Sequence, residues 1–287
     1  TDYDRYAAAR IMAEEQRHGW QMAYLLMTYF GQQGRREAQK LLERNAQDGD
    51  RLLGAFNIPM PHWLDFFCYT MFVDRDGKFQ LGMLSTSAFK PLAASMGPML
   101  KEESFHLGTG SNGLRRIIKA GVIPLDMLQR YINKWVSTAH DLFGVDASSS
   151  AHWAYVWGIK GRWDERKKLD AGVEVNKEVL NEESRGHYHQ EIVGEVRKLC
   201  GYLPEGAEEL YVPHENFNRA IGATKGQHFN VDGTPFEGSE EDYSAYLAEV
   251  LPTDQDELDL QELFKQEWIA NKPMSTRQIE SGIGASA

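Results

Sequence analysis

Hydrophobic positions recur along most of this chain at the spacing of one helix face, and the first run is the clearest. Between Tyr6 and Phe30 the residues Ile11, Met12, Trp20, Ala23, Tyr24, Met27 and Phe30 predict a long helix, with Gly31 as its stop. A second periodic stretch, from Arg35 to Ala46, is strongly charged on one side. It reads as a surface helix followed by an Asp48-Gly49-Asp50 loop. Pro59 and Pro61 then open a segment from His62 to about Phe89 whose apolar residues, Trp63, Phe67, Tyr69 and Phe72 among them, cover several faces at once, as in a buried helix. Within it, Asp74-Arg75-Asp76-Gly77 has the composition of an exposed turn, so local rules leave open whether the helix continues.

Helical pattern resumes from Pro91 to His106, and the glycine-rich run Gly108 to Gly113 is expected to end it as a flexible break. Leu114 would then start a new helix with free N–H groups. Further helices are expected at Leu114–Lys119, Pro124–Leu142, Leu169–Cys200 and Asp254–Asn271. Phe229 to Phe236 forms a short hairpin around Asp232-Gly233, and the last seven residues make a tail. These elements define an all-α fold in three stretches: a metal-binding bundle over 1–145, additional helices over 146–200 and an extension over 201–287.

Composition narrows the function. A formal net charge of -11 argues against a nucleic-acid surface, which needs an excess of Lys and Arg. Cys68 and Cys200 lack the paired spacing of a zinc or iron–sulfur site. No apolar run reaches the roughly 20 residues that span a bilayer, and no basic-then-apolar leader is visible, so a cytoplasmic protein without membrane contact is expected. Gly108-Thr-Gly-Ser-Asn-Gly113 satisfies a dinucleotide-binding fingerprint letter by letter. It follows a helix where that fingerprint needs a strand, so no nucleotide cofactor is assigned to the chain.

The chemistry lies in one signature that occurs twice: Glu14-Glu15-Gln16-Arg17-His18 and Glu102-Glu103-Ser104-Phe105-His106. Residues three apart share a helix face with Cβ atoms about 5–6 Å apart, so Glu15 with His18, and Glu103 with His106, can each bind one cation. One such pair arises about once by accident in a chain of this composition. Of the nine histidines, however, only His18 and His106 follow a Glu by three positions. Two such helices packed face to face make a two-metal site.

Met71-Phe-Val-Asp-Arg-Asp-Gly-Lys-Phe-Gln-Leu81, with Leu100-Lys-Glu-Glu-Ser-Phe-His-Leu-Gly108, closely resembles the ferritin-like di-iron acyl-CoA epoxidases, the family acting on benzoyl-CoA and phenylacetyl-CoA. Glu14 to Leu26, Leu53-Gly-Ala-Phe-Asn57 and, less strongly, Phe217 to Gly222 extend the resemblance over most of the chain. It implies two iron ions held by Glu15, His18, Asp74, Glu103 and His106, with Glu15 and Glu103 bridging. It further implies O2 as oxidant, and an NADPH-dependent reductase carrying FAD and iron–sulfur centres as electron donor. The implied reaction is epoxidation of the aromatic ring of benzoyl-CoA. The alternatives are a related reaction on phenylacetyl-CoA or another acyl-CoA, or a non-catalytic scaffold.

The family draws one further Glu from a helix preceding the first Glu-x-x-His helix. Nothing before Tyr6 is long enough to supply it, so the parent protein is expected to continue upstream of Thr1. Glu183 with His187 is a weak substitute, because Arg185 and Gly186 suggest a poor helix there. Phe67, Met71 and Phe105, with Thr70, are candidates for an apolar cavity wall. Arg115, Arg116 and Lys119, or Lys160, Arg162, Arg166, Lys167 and Lys168, are candidates for the coenzyme A phosphates.

Overall fold

The computed structural model describes residues 1–162, 164–165, 170–174, 176 and 178–269. Helix α1 (Asp2–Tyr29) is capped by the Thr1 hydroxyl, which accepts from the Asp4 N–H, and its inner face carries Tyr3, Ala7, Ile11 and Ala23. Gly31, at φ +56°, turns the chain directly into α2 (Gly31–Glu43), which folds back along α1. Short 3₁₀ turns at Ala46–Asp48 and Gly54–Asn57 lead to a rod made of α3 (Trp63–Cys68), a π turn (Tyr69–Val73) and α4 (Asp74–Leu84).

The rod continues through Asp74-Arg75-Asp76-Gly77, so the turn that local composition suggests does not form. All three charged side chains are buried. Arg75 bonds the Met71 carbonyl and, with Lys78, Glu191 of α8 (Leu180–Cys200); Asp76 accepts from Gln80 at 3.0 Å. The π turn admits one residue beyond the α-helical count and so rotates the α4 side chains by about 100° relative to those of α3. The Thr70 hydroxyl bonds the Phe66 and Phe67 carbonyls at this widened turn.

Helix α5 (Lys90–Ala120) runs unbroken through Gly108–Gly113, correcting the expected break there and the separate helix from Leu114. Close packing explains the glycines. A Cβ on Gly110 would fall 2.5 Å from the Met71 amide nitrogen, and one on Gly113 would enter the Phe67 ring. The bundle of α1, the α3–α4 rod, α5 and α6 (Leu125–Leu142) is thus ferritin-like, around Phe67, Phe72, Phe79, Tyr131 and Trp135. Arg116 on α5 clamps the buried Asp4 carboxylate of α1.

Helix α7 (Ser149–Val156) precedes α8, which begins at Leu180 rather than at Leu169; residue 169 lies outside the described residues. The hairpin at Asp232-Gly233 is present as a Phe229–Pro235 bridge. Helices α9 (Glu240–Val250) and α10 (Asp254–Leu263) both open on capping boxes, and Asp256 pins α10 to Arg130 of α6. The expected continuation of α10 to Asn271 reaches beyond Leu263 and, with the tail, into residues outside those described. Cys68 and Cys200 are both free, and no helix among the described residues is long and apolar enough to cross a membrane.

Candidate metal centre

The two Glu-Glu-x-x-His faces meet. The His18 and His106 ring centroids lie 6.5 Å apart, and Asp74 reaches His106 from α4. Donor atoms of Glu15, His18 and Glu103 all lie within 4.8 Å of one another, and so do those of Asp74, Glu103 and His106. Glu103 belongs to both groups. Glu15 spans them as well, with Oε2 at 3.6 Å from His18 Nδ1 and Oε1 at 3.3 Å from His106 Nδ1. The five residues that the resemblance implies therefore lie in one cluster, with Glu103 common to both groups and Glu15 within 3.6 Å of both imidazoles.

The first Glu of each motif performs a different task, which sequence reasoning missed. His106 Nε2 donates to Glu14 at 2.9 Å and His18 Nε2 donates to Glu102 at 2.7 Å, each reaching across to the other helix. Arg10 holds Glu14, and Arg17 holds Glu102. With Nε2 fixed outward, each ring presents Nδ1 to the cluster as a lone-pair donor when neutral. The doubled glutamate was the visible signal; which imidazole each would hold depends on how α1 and α5 pack.

The electrostatics show an interior rich in negative charge. Burial raises the Asp74 carboxyl well above its ordinary range, and Glu103 and Glu15 push it the same way. Burial also raises Glu103. Burial opposes a charged His106, but its ion-pair contacts with Glu103 and Glu15 and the nearby Asp74 outweigh that and hold it up to about 11. Burial likewise opposes ionisation of Glu15, yet His106 and His18 bring it down to about 2. Asp74 Oδ2, Glu103 Oε2 and His106 Nδ1 are buried without a hydrogen-bond partner, and all three belong to one donor group. A carboxylate and imidazole donor set of this kind fits a first-row transition metal such as iron. The residues present therefore fit the expected ions.

A cavity of about 280 Å³ adjoins the cluster, lined by Glu15, Asp74 and Glu103 and walled by Leu53, Phe56 and Tyr69. Phe67, Met71, Thr70 and Phe105 do not line it. Phe67 and Met71 sit in the core, and Phe105 lies under the Arg10 guanidinium. The described basic candidates have structural partners: Arg116 on Asp4, Arg115 on Asn112, Lys119 over the Tyr202 ring, Lys160 on Gln80 and Asn181, and Arg162 on Glu183. Arg166, Lys167 and Lys168 lie outside the described residues. Glu183 is thus engaged by Arg162, in a regular helix, far in role from a cluster donor.

Fold and cluster together define the class: a ferritin-like helical bundle whose interior can bind metal through carboxylates and imidazoles. The model for phenylacetic acid catabolic proteins matches residues 5–210, and the chain belongs to that family. Over 300 residues it is 36% identical to benzoyl-CoA oxygenase component B of Aromatoleum evansii, an alignment covering 89% of this chain and 63% of that protein. The chain thus spans less than two thirds of that relative's length.

Proposed function

We propose that this protein is the oxygenase component of an acyl-CoA ring epoxidase, with benzoyl-CoA as substrate. Glu15, His18, Asp74, Glu103 and His106 would hold two iron ions. The observation that carries this reading is the pair of overlapping donor groups that share Glu103, whose Oε2 is buried without a partner. The bound irons would supply the redox chemistry of oxygen activation. One oxygen atom enters the aromatic ring as an epoxide, and the other leaves as water after uptake of two electrons and two protons. A separate NADPH-dependent reductase with FAD and iron–sulfur centres would supply those electrons, since neither cysteine of the chain sits in a cluster.

The chain's own residues do the rest. Glu14 and Glu102 orient the imidazoles, Glu15 and Glu103 would supply carboxylates to the ions, and Tyr69, Phe56 and Leu53 would line the cavity around the ring being attacked. The name of the relative supports benzoyl-CoA, while the family description names phenylacetic acid catabolism, which makes the phenylacetyl-CoA that the resemblance implies the competing substrate. Iron analysis combined with oxygen consumption on both thioesters, in the presence of a reductase, tests the reading. About two irons per chain and benzoyl-CoA-dependent uptake are expected. A protein with no bound iron, or one whose oxygen uptake ignores both thioesters, refutes it.

A further inference from the structure

The segment from Asn45 to Pro61, which joins α2 to α3, supplies one wall of the cavity beside the cluster. Among the described residues its side chains and internal backbone bond only within the segment: Asp50 N–H to the Asn45 carbonyl, Phe56 N–H to the Leu53 carbonyl, and the Asn57 side chain across Arg51. Its attachment to the bundle is apolar, through Ile58 against the core. Leu53 and Phe56 are 37% and 43% exposed although they wall a cavity. A strap held this way can lift without breaking a hydrogen bond.

Two other cavities meet the first beneath this strap. One, of about 320 Å³, lies between Ala55 and Ile58 of the strap, Ser137 and Thr138 of α6, and the loop at Asn218. Leu53 and Leu142 belong both to it and to the cluster cavity, so a pair of leucines separates the two. The other, of about 480 Å³, is bounded by Met12, Gln16 and Gly19 of α1 and by Leu42 of α2, and meets the cluster cavity at Glu15, Phe56 and Tyr69.

We infer that the acyl thioester reaches the cluster through the cavity beside Ser137, with its aromatic ring beyond Leu53 and Leu142 and its amide-bearing pantetheine arm beneath the strap. This rests on the proposed acyl-CoA chemistry. The cluster cavity is small for anything beyond the ring, so the arm must leave through a neighbouring opening. Only one of the two openings carries an unmet polar demand among the described residues. Ser137 is 3% exposed and its hydroxyl has no hydrogen-bond partner, whereas no side chain lining the α1 cavity is buried and unpartnered. A pantetheine arm carries two amides, and either a carbonyl or an N–H of such a group satisfies a serine hydroxyl. Leu53 and Leu142 then act as specificity-determining residues that set how far the ring penetrates.

The test measures equilibrium binding of benzoyl-CoA, and of coenzyme A without an acyl group, to the metal-loaded protein kept free of oxygen. Leu53→Trp, which fills the passage, is expected to weaken benzoyl-CoA binding at least tenfold and to change coenzyme A binding less than threefold. Ser137→Ala is expected to weaken both by three- to tenfold. Gly19→Trp, in the α1 cavity where nothing lies within 4 Å of a new Cβ, is expected to leave both within twofold. Leu53→Phe replaces the first variant should the tryptophan lower the melting temperature. The inference is overturned if Gly19→Trp weakens benzoyl-CoA binding as much as Leu53→Trp does. It is equally overturned if Leu53→Trp and Ser137→Ala leave binding unchanged. A metal-loaded wild type that binds neither benzoyl-CoA nor phenylacetyl-CoA removes the proposed function, and this inference with it.

Discussion

Glu14 on α1 accepts a hydrogen bond from Nε2 of His106 on α5 at 2.9 Å, so the nitrogen of that ring facing Asp74 and Glu103 is Nδ1. Glu102 does the same for His18 at 2.7 Å. Neither glutamate is a member of the two donor groups, yet each fixes a tautomer and a ring orientation. Replacing such a partner generally costs 10–100-fold in metal affinity. Glu14→Ala and Glu102→Ala are each expected to weaken metal binding within that range while the helical content stays unchanged, as read by metal titration beside circular dichroism. Affinities within twofold of wild type would leave the two residues as ordinary surface carboxylates.

Metal and protons compete for the same atoms. In the metal-free protein His106 is held up to about 11 and so carries a proton at neutral pH, while burial, with Glu103 and Glu15 beside it, shifts Asp74 upward in the same sense. A metal requires neutral imidazole and ionised carboxylate, so loading must expel the His106 proton. Raising the pH from 6 to 8 therefore strengthens binding, and lowering it weakens binding. Calorimetric titration with a divalent metal at pH 7, in buffers of different ionisation enthalpy, should register release of one to two protons per cluster. Proton-neutral binding would mean that the metal goes elsewhere.

The repeated Glu-Glu-x-x-His could be read from sequence because its chemistry is local to one helix face, and the structure brings both faces together. Asp74 could not be read from local pattern. Asp-Arg-Asp-Gly has turn composition, and Glu191 on α8 beside Arg75, with Gln80 beside Asp76 and itself held by Lys160, makes its charges tolerable inside a helix. Resemblance singled out Asp74 where physics at that range gave an exposed loop. The π turn carries no comparable mark in the sequence. Gly108–Gly113 misled for the opposite reason: each glycine weakens a helix locally, but Gly110 and Gly113 are there because α3 packs against them, which no window of α5 alone reveals.

Close packing of α5 on α3 is testable within the glycine run itself. Gly108 has nothing within 4 Å of an added Cβ, so Gly108→Ala gains helix propensity of about 1 kcal/mol and should raise the melting temperature by roughly 2–4 °C. At Gly110 the same methyl meets the Met71 amide nitrogen at 2.5 Å and the Phe67 carbonyl oxygen at 2.8 Å, atoms of backbone that cannot rotate away. Gly110→Ala should therefore cost about 1–3 kcal/mol by overpacking. Opposite signs two residues apart are the signature of a continuous packed helix. Similar small effects at both positions in a thermal melt would restore the flexible break.

His140 on α6 provides the last test, remote in role from the cluster. Its ring is fully buried and stacked on His189 at 5.3 Å, with Nε2 3.3 Å from His189 Nδ1, and its own Nδ1 has no hydrogen-bond partner among the described residues. Burial pushes its pKa well below the ordinary 6.5, and His189, Arg219, Arg185 and His214 all add positive charge in the same direction. His189 is lowered as well, chiefly by burial, with Glu215 opposing. A base whose folded pKa is depressed binds fewer protons in the folded than in the unfolded state. Folding stability is therefore full above about 6.5 and is lost as pH falls below it. One such group contributes a slope of up to about 1.4 kcal/mol per pH unit. Denaturant melts between pH 7.5 and pH 5 should show stability falling towards acid, and His140→Gln, which cannot titrate, should flatten that fall by about one proton's worth. An unchanged slope in the variant would place the acid sensitivity on other groups and would mean that His140 accepts its proton without opening the α6–α8 packing.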